Sequence, residues 1–406
     1  MNFIGHGVDE IAAAMSVQGK QLEFVHSSQF TTPVAEEYAA ELIDFAGKNF
    51  EGGCVYFTCG GSESVETALK LARQYQVEIG QTKRHQVLSR GQSYHGSTLG
   101  ALSVSGNKRR REIYLPMVRE FAHVAFPYCY RCAFDCTDSC RNCGQEYAAE
   151  LERAIEAAEG EVAAFIIEPV SGATLGAVVP PPGYLQSVAE ICCRHGVLLI
   201  ADEVMAGMGR TGRHFAVEHW DVAPDILVAA KGLSSGYAPL GAVMLSKKVA
   251  DAIAHGSGAF LHGFTYNSHP ISLAAGRAVL RWVQEQKLVR TADSGRQGST
   301  ASILREALES LRDVRAIGDV RGIGLLWGVE FVADKATKRP FASDVNFAGR
   351  VAQAAVKRGL LVYPMQGCVD GIAGDHVLIA PPAVITTEQI DWAVTELRNA
   401  IEEAVP

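Results

Sequence analysis

Three short apolar runs in the middle of the chain each stop abruptly at a charged residue. Val162–Ile167 (VAAFII) ends at Glu168-Pro169, residues 197–201 (VLLIA) end at Asp202-Glu203, and residues 226–230 (ILVAA) end at Lys231-Gly232. A fourth run, 242–245 (AVML), follows a glycine-rich turn. Unbroken apolar runs of this length read as strands buried on both faces, which requires a mostly parallel sheet covered by helices. Between the first two runs, residues 183–195 place Leu185, Val188, Ala189 and Cys192 at helical spacing. Ligands of such α/β sheets sit at the carboxyl ends of the strands, where Glu168, Asp202 and Lys231 are expected.

Beyond about residue 283 the texture changes. Residues 321–326 lead into an apolar run at 327–331, a helical stretch from Ala348, the run VLIAPP at 377–382 and a last helix from Thr387. A second, smaller α+β domain is expected there. The division is then an N-terminal segment 1–30 packing with the small domain, a large domain 31–282, and a small domain 283–406. With 406 residues, two or three domains are the expectation. The chain carries 37 basic and 45 acidic residues, a net charge of −8. That balance excludes the basic surface of a nucleic-acid binder and a polybasic membrane anchor. No apolar run approaches the ~20 residues of a membrane helix. The first residues, MNFIGHGVDE, lack a secretory pattern, so a cytoplasmic protein with reduced cysteines is expected.

Three segments carry chemistry. The run Gly60-Gly61-Ser62 opens a helical pattern in which Val65, Ala68, Leu69 and Ala72 share a face. Such a turn presents free N–H groups and the positive end of a helix dipole to an anion such as phosphate, or else Ser62 is a plain N-cap. Asp202, at the end of a buried strand, is costly unless paired. It is either half of a structural ion pair or the partner of a cationic ring nitrogen or metal. Lys231 follows five apolar residues. If buried, its pKa falls and the neutral amine becomes a nucleophile or base, and otherwise it reaches solvent. Together the three match the needs of pyridoxal phosphate: a lysine for its imine, a carboxylate for its pyridine nitrogen and a cup for its phosphate.

Over almost its whole length the chain resembles the class III aminotransferases, which are fold type I pyridoxal-phosphate enzymes. The resemblance rests on GSES..TALKLAR from Gly61, Tyr94-His95-Gly96, Glu168-Pro169, Asp202-Glu203-Val204, Gly209-Arg210-Thr211-Gly212 and Lys231-Gly232. It implies a large domain built on a mostly parallel seven-stranded sheet. It also implies that Lys231 carries the cofactor and shuttles a proton, that Asp202 pairs with the ring nitrogen, and that Val204 and Tyr94 flank the ring. Gly61 and Ser62 would bind the phosphate, Glu168 would lie near the ring, and His95 would touch the cofactor or stand behind it. Thr265, in Gly263-Phe264-Thr265-Tyr266, resembles a threonine that reaches the neighbouring subunit's cofactor, which implies a homodimer or a tetramer built from it.

Ser97, Ala173 and Met205 stand where some branches of the family carry arginine, glutamate and glutamine, and this pattern resembles the ω-transaminase (amine:pyruvate) branch. That branch implies an amine or ω-amino acid donor and a small keto-acid acceptor such as pyruvate, used in a ping-pong reaction. Tyr363 stands where the branch often has a carboxylate-binding arginine. Relatives also carry more residues before Gly5-His6-Gly7, so the expectation is an internal start or an unusually open pocket. Two C-x2-C pairs, Cys129/Cys132 and Cys140/Cys143, flank Cys136 in an insertion at 127–145. They have zinc-ligand spacing, although packed thiols or disulfides fit as well, and no metal is assigned to the catalytic site. Cys54, Cys59, Cys192, Cys193 and Cys368 are expected in the core. The rival readings are a decarboxylating transaminase or aminomutase on the same cofactor, and a non-catalytic zinc scaffold or binding protein that keeps the fold.

Overall fold

The computed structural model describes residues 2–134 and 143–405. Seven strands form the larger sheet: β1 (Cys54–Thr58), β2 (Gln86–Arg90), β3 (His123–Val124), β4 (Val162–Ile167), β5 (Leu198–Asp202), β6 (Ile226–Ala229) and β7 (Gly241–Leu245). Their order is β1-β7-β6-β5-β4-β2-β3. Only β7 runs against its neighbours, pairing antiparallel with β1 and β6. The apolar runs read from the sequence are strands β4 to β7, and residues 184–195 form the helix between β4 and β5.

Alternate residues of each central strand serve different cores. Phe165, Ile167, Leu199 and Ala201 pack on one face against the helices Pro33–Ala46 and Tyr184–His195. Ala164, Ile166, Leu198 and Ile200 pack on the other, against the helix Gly61–Glu78. Double-sided coverage of this kind is why these strands carry no polar alternation. Registers Ile167↔Ala201 and Asp202↔Val228 bring the carboxyl ends of β4, β5 and β6 to one edge.

The smaller sheet, of order β10-β11-β9-β8, is wholly antiparallel and comprises β8 (Ile317–Ile323), β9 (Leu326–Phe331), β10 (Tyr363–Gln366) and β11 (Asp375–Ile379). The helices Phe347–Lys357 and Thr387–Ala404 pack on it. The last helix starts where expected because Thr386 and Gln389 form reciprocal bonds, Gln389 N–H to Thr386 Oγ1 and Thr386 N–H to Gln389 Oε1. Phe3, Ile4 and Ile11 are buried in the small-sheet core. The helix Pro270–Glu285 spans residue 282 without a break. Leu273, Ala274 and Leu280 enter the large core, whereas Ala275, Val279 and Val283 enter the small one. Among the described residues no helix is long and apolar enough to cross a membrane.

Two cysteines expected in the core are exposed. Cys54 begins β1 at the rim of the sheet, and Cys193 lies on the outer face of the helix that buries Leu185, Val188, Ile191 and Cys192. Cys192 and Cys368 are buried, and Cys59 is half-buried. Cys136 and Cys140 lie outside the described residues.

Candidate active site

Strand β6 stops at Ala229, and Lys231 opens a tight turn, Lys231–Leu233, in which the Leu233 N–H bonds to the Ala230 carbonyl at 3.0 Å. Lys231 has φ of +44°, in the left-handed region that a side chain enters only at a cost of about 1–2 kcal/mol. The backbone thus holds this lysine in one strained orientation at the strand edge. Its side chain is half-buried, and burial lowers its pKa, outweighing the opposing charges of Asp202 and Glu168. The solvated-lysine reading does not hold for such an amine.

Asp202 ends β5, buried. Its Oδ2 lies 2.8 Å from His95 Nδ1, and its Oδ1 accepts the Val204 N–H at 3.1 Å. Its partner is an imidazole, not a lysine or arginine. His95 is fixed in turn by its own N–H, which donates to Ser105 Oγ at 2.8 Å. Glu168 is also buried. Its carboxylate accepts the N–H groups of Gly172 at 2.9 Å and Tyr94 at 3.3 Å, and burial raises its pKa. Next to Asp202, Glu203 accepts the Val217 N–H at 2.8 Å, and burial pushes its pKa up to about 8.

The helix after β1 begins at Gly61, with Gly60 in the N-cap position and no side-chain cap. Ser62 therefore does not cap the helix. Its Oγ accepts the Ser97 N–H at 3.0 Å instead, and Ser97 Oγ meets the Tyr94 hydroxyl at 2.7 Å. The first N–H groups of the helix have no partner within it. Gly96 makes this closeness possible. Its φ is +142°, and a Cβ there would fall 2.6 Å from Ser62 Oγ.

These groups surround one cavity of about 500 Å³. Gly61 and Ser62 line one side of it, with Tyr94, His95 and Glu168. Asp202, Val204 and Lys231 complete the set. Eight of the nine site residues expected from the sequence are thus brought together within one chain. Thr265 is not: it is exposed in the turn after 263–264 and does not line the cavity. Tyr363 is 51% exposed on β10 and does not line it either. Met205 does line it, while the Ala173 carbonyl is taken up by His376 Nε2 at 2.7 Å.

Sequence reasoning missed Cys59, Tyr237 and Leu240, which also face the cavity. Tyr237 and Leu240 belong to the glycine- and serine-containing run directly after Lys231, and that adjacency was the available signal. The same loop is tied to the chain's first residues. Ser235 Oγ accepts the N–H of Phe3 at 2.8 Å and of Ile4 at 3.1 Å, and the Tyr237 hydroxyl accepts that of Val8 at 2.8 Å. The cavity thus combines a strained amine, a fixed carboxylate, an aromatic ring and a helix N-terminus. That donor set suits a flat cationic ring with an anionic tail.

Comparison with known proteins gives the same class. The family model "Aminotransferase class-III" matches residues 1–401. An uncharacterized aminotransferase of Bacillus subtilis, YodT, is 40% identical over 404 residues, covering 99% of this chain and 88% of that protein. A putrescine–pyruvate aminotransferase of Pseudomonas aeruginosa is 33% identical, covering 98% and 84%. Among solved structures, an (S)-enantioselective ω-transaminase of Thermomicrobium roseum superimposes with a TM-score of 0.90 at 35% identity, covering 99% of this chain and 86% of that one. The chain belongs to the class III aminotransferases, a family of pyridoxal-phosphate-dependent enzymes of fold type I, and is a transaminase.

Proposed function

We propose that this transaminase moves an amino group from an amine or ω-amino acid to a small keto acid, pyruvate being the best candidate, in a ping-pong cycle. The observation that carries the reading is the meeting of Lys231, Asp202 and the N-terminus of the helix Gly61–Glu78 at one cavity. Lys231 would hold pyridoxal phosphate, Asp202 would face its ring nitrogen, and Gly61 and Ser62 would receive its phosphate. Tyr94 and Val204 would flank the ring. Bound there, the cofactor supplies a ring that accepts the electron pair of the substrate's breaking Cα–H bond.

The protein's own groups do the rest. Burial lowers the pKa of Lys231, which eases release of its proton, and Lys231 would take the Cα proton and return it. Asp202, with one oxygen against His95 Nδ1 and the other on the Val204 N–H, would be held in a fixed orientation to face the ring nitrogen. The apolar side chains of Val204, Met205 and Leu240 line the cavity and favour a donor whose amine-bearing carbon carries apolar substituents. The Ala173 position, which carries no charge, supports the same donor class.

The test follows conversion of the bound cofactor from its aldehyde to its amine form against a panel of amines. Primary amines and ω-amino acids are expected to convert it, and pyruvate to reverse the change. Lys231→Ala should abolish turnover, and Asp202→Asn should slow it by about 100-fold or more. A donor set confined to α-amino acids would overturn the ω-amine reading.

A further inference from the structure

Strand β11 belongs to the small sheet, yet one of its side chains ends on the loop that carries Glu168. His376 is buried, and its Nε2 lies 2.7 Å from the Ala173 carbonyl oxygen. A carbonyl only accepts, so Nε2 carries the proton, and Nδ1 is left bare, without a partner among the described residues. Burial and the Arg321 charge hold the pKa of the imidazole down at about 3, so this ring is a neutral donor at ordinary pH. Gly176 lies directly on the ring, where a Cβ would fall 2.5 Å from His376 Cδ2.

The loop 168–178 leads from this bond to the cavity. Gly172, the residue before Ala173, donates its N–H to Glu168 Oε1 at 2.9 Å, and its carbonyl accepts the Gly176 N–H at 3.0 Å. A Cβ on Gly172 would fall 2.8 Å from both Glu168 Oε1 and the Met205 sulfur, and Glu168 and Met205 line the cavity. The small sheet runs along the other side of the same loop. Arg321 donates to the Leu175 carbonyl, and Leu326 and Leu378 pack with Val170 and Ala177. Gly328 comes so close that a Cβ on it would fall 2.1 Å from the Gly176 carbonyl oxygen. The large domain holds the loop at other points: Arg90 donates to the Glu168 carbonyl at 2.6 Å, and the Thr174 hydroxyl to the Gln92 carbonyl at 2.5 Å.

We propose that His376 is a positioning residue: through the Ala173 carbonyl and the Gly172 N–H it fixes the Glu168 carboxylate in the cavity, and so ties the small sheet to the groups around Lys231. The consequence at the cofactor rests on the reading proposed above, whereas the link to Glu168 does not. Of the groups that face Glu168, His95, Arg90 and the Gly172 N–H favour its charge and Asp202 opposes it. Asp202 and Glu168 favour a charged nitrogen on Lys231, and Arg110 opposes it. Loosening the Gly172 N–H should therefore let Glu168 hold its proton to higher pH and remove negative charge from beside Lys231.

Infrared titration of the cofactor-free protein, with Glu168→Gln identifying the Glu168 carboxyl band, tests the link. His376→Leu is expected to raise the Glu168 midpoint by at least about half a pH unit. His376→Gln, whose amide N–H can donate to the same carbonyl, should stay near the unmodified value. With pyridoxal phosphate bound and no substrate, the pH midpoint of the cofactor absorbance should fall in His376→Leu. In a Glu168→Gln background the same substitution should add no shift. A folded His376→Leu protein with an unmoved Glu168 midpoint would overturn the inference. An equal absorbance shift in both backgrounds would overturn it too, because His376 would then act past Glu168 as a prop of the fold. If His376→Leu does not fold, His376→Asn, too short for the carbonyl, replaces it with the same expectations. A raised Glu168 midpoint in protein that takes up no pyridoxal phosphate would uphold the link and remove the cofactor reading instead.

Discussion

Glu203 sits beside Asp202, buried, with one oxygen on the Val217 N–H and the other without a partner among the described residues. Burial raises its pKa from 4.5 to about 8. Between those values the folded protein holds a proton that the unfolded chain has released. Its contribution to stability is therefore complete below the unfolded value and is lost as pH rises through about 8, with a slope of up to about 1.4 kcal/mol per pH unit. Glu203→Gln should flatten the dependence of the melting temperature on pH in this window. A profile unaltered by the substitution would mean that the carboxyl is already ionised in the folded state. The residues most legible in the sequence were those, like Asp202 and Lys231, whose charge interrupts an apolar run. Tyr237 and Leu240 were not legible, because they reach the cavity from a loop with no periodic pattern. The exposure of Cys54 and Cys193 was hidden for a similar reason: residue type alone does not say which helix face or sheet rim a side chain occupies.

At the level of elements, chemistry is delivered by strand ends and the turns that follow them. Strands β4 to β6 could be read because both their faces are buried, which leaves an unbroken apolar signature. The start of the helix Gly61–Glu78 was open between an anion site and a serine cap. It is settled against the cap by the close approach of the loop after β2, which draws Ser62 Oγ to the Ser97 N–H. Gly96 is the pivot of that approach. A methyl group there would meet Ser62 Oγ at 2.6 Å and Ala101 Cβ at 2.8 Å in a backbone conformation that side chains avoid. Gly96→Ala should push the loop off the helix start, destabilising the fold by about 1–3 kcal/mol and raising the dissociation constant for cofactor. Thermal unfolding of the apoprotein and a cofactor titration measure the two effects separately. Wild-type values in both would show that the loop absorbs the methyl group elsewhere.

At the scale of the whole molecule, Thr265 is the one residue of the expected set that lies outside the cavity of a single chain. It lies on a patch where Leu261 is 94% and Tyr266 60% exposed, an apolar surface of the kind that a second copy covers. If Thr265 serves a neighbouring cofactor, Lys231→Ala and Thr265→Ala protomers should complement each other. A mixed dimer contains one site with both residues intact, and random re-association makes about half of the dimers mixed, so an equimolar mixture of the two weakened proteins after mild dissociation should recover about a quarter of the wild-type activity. Sedimentation checks the dimer, and an absence of recovery in mixed dimers would place Thr265 outside the neighbour's site.

The helix Pro270–Glu285 has a consequence for anyone who wishes to recombine this enzyme with its relatives. Because its two faces belong to different cores, the gene has no clean seam at the point where one architecture gives way to the other. A chimera with its crossover inside that stretch would join side chains shaped for one parent to a bed shaped for another, whereas donor segments that inherit the whole helix together with both its beds leave the packing as it was.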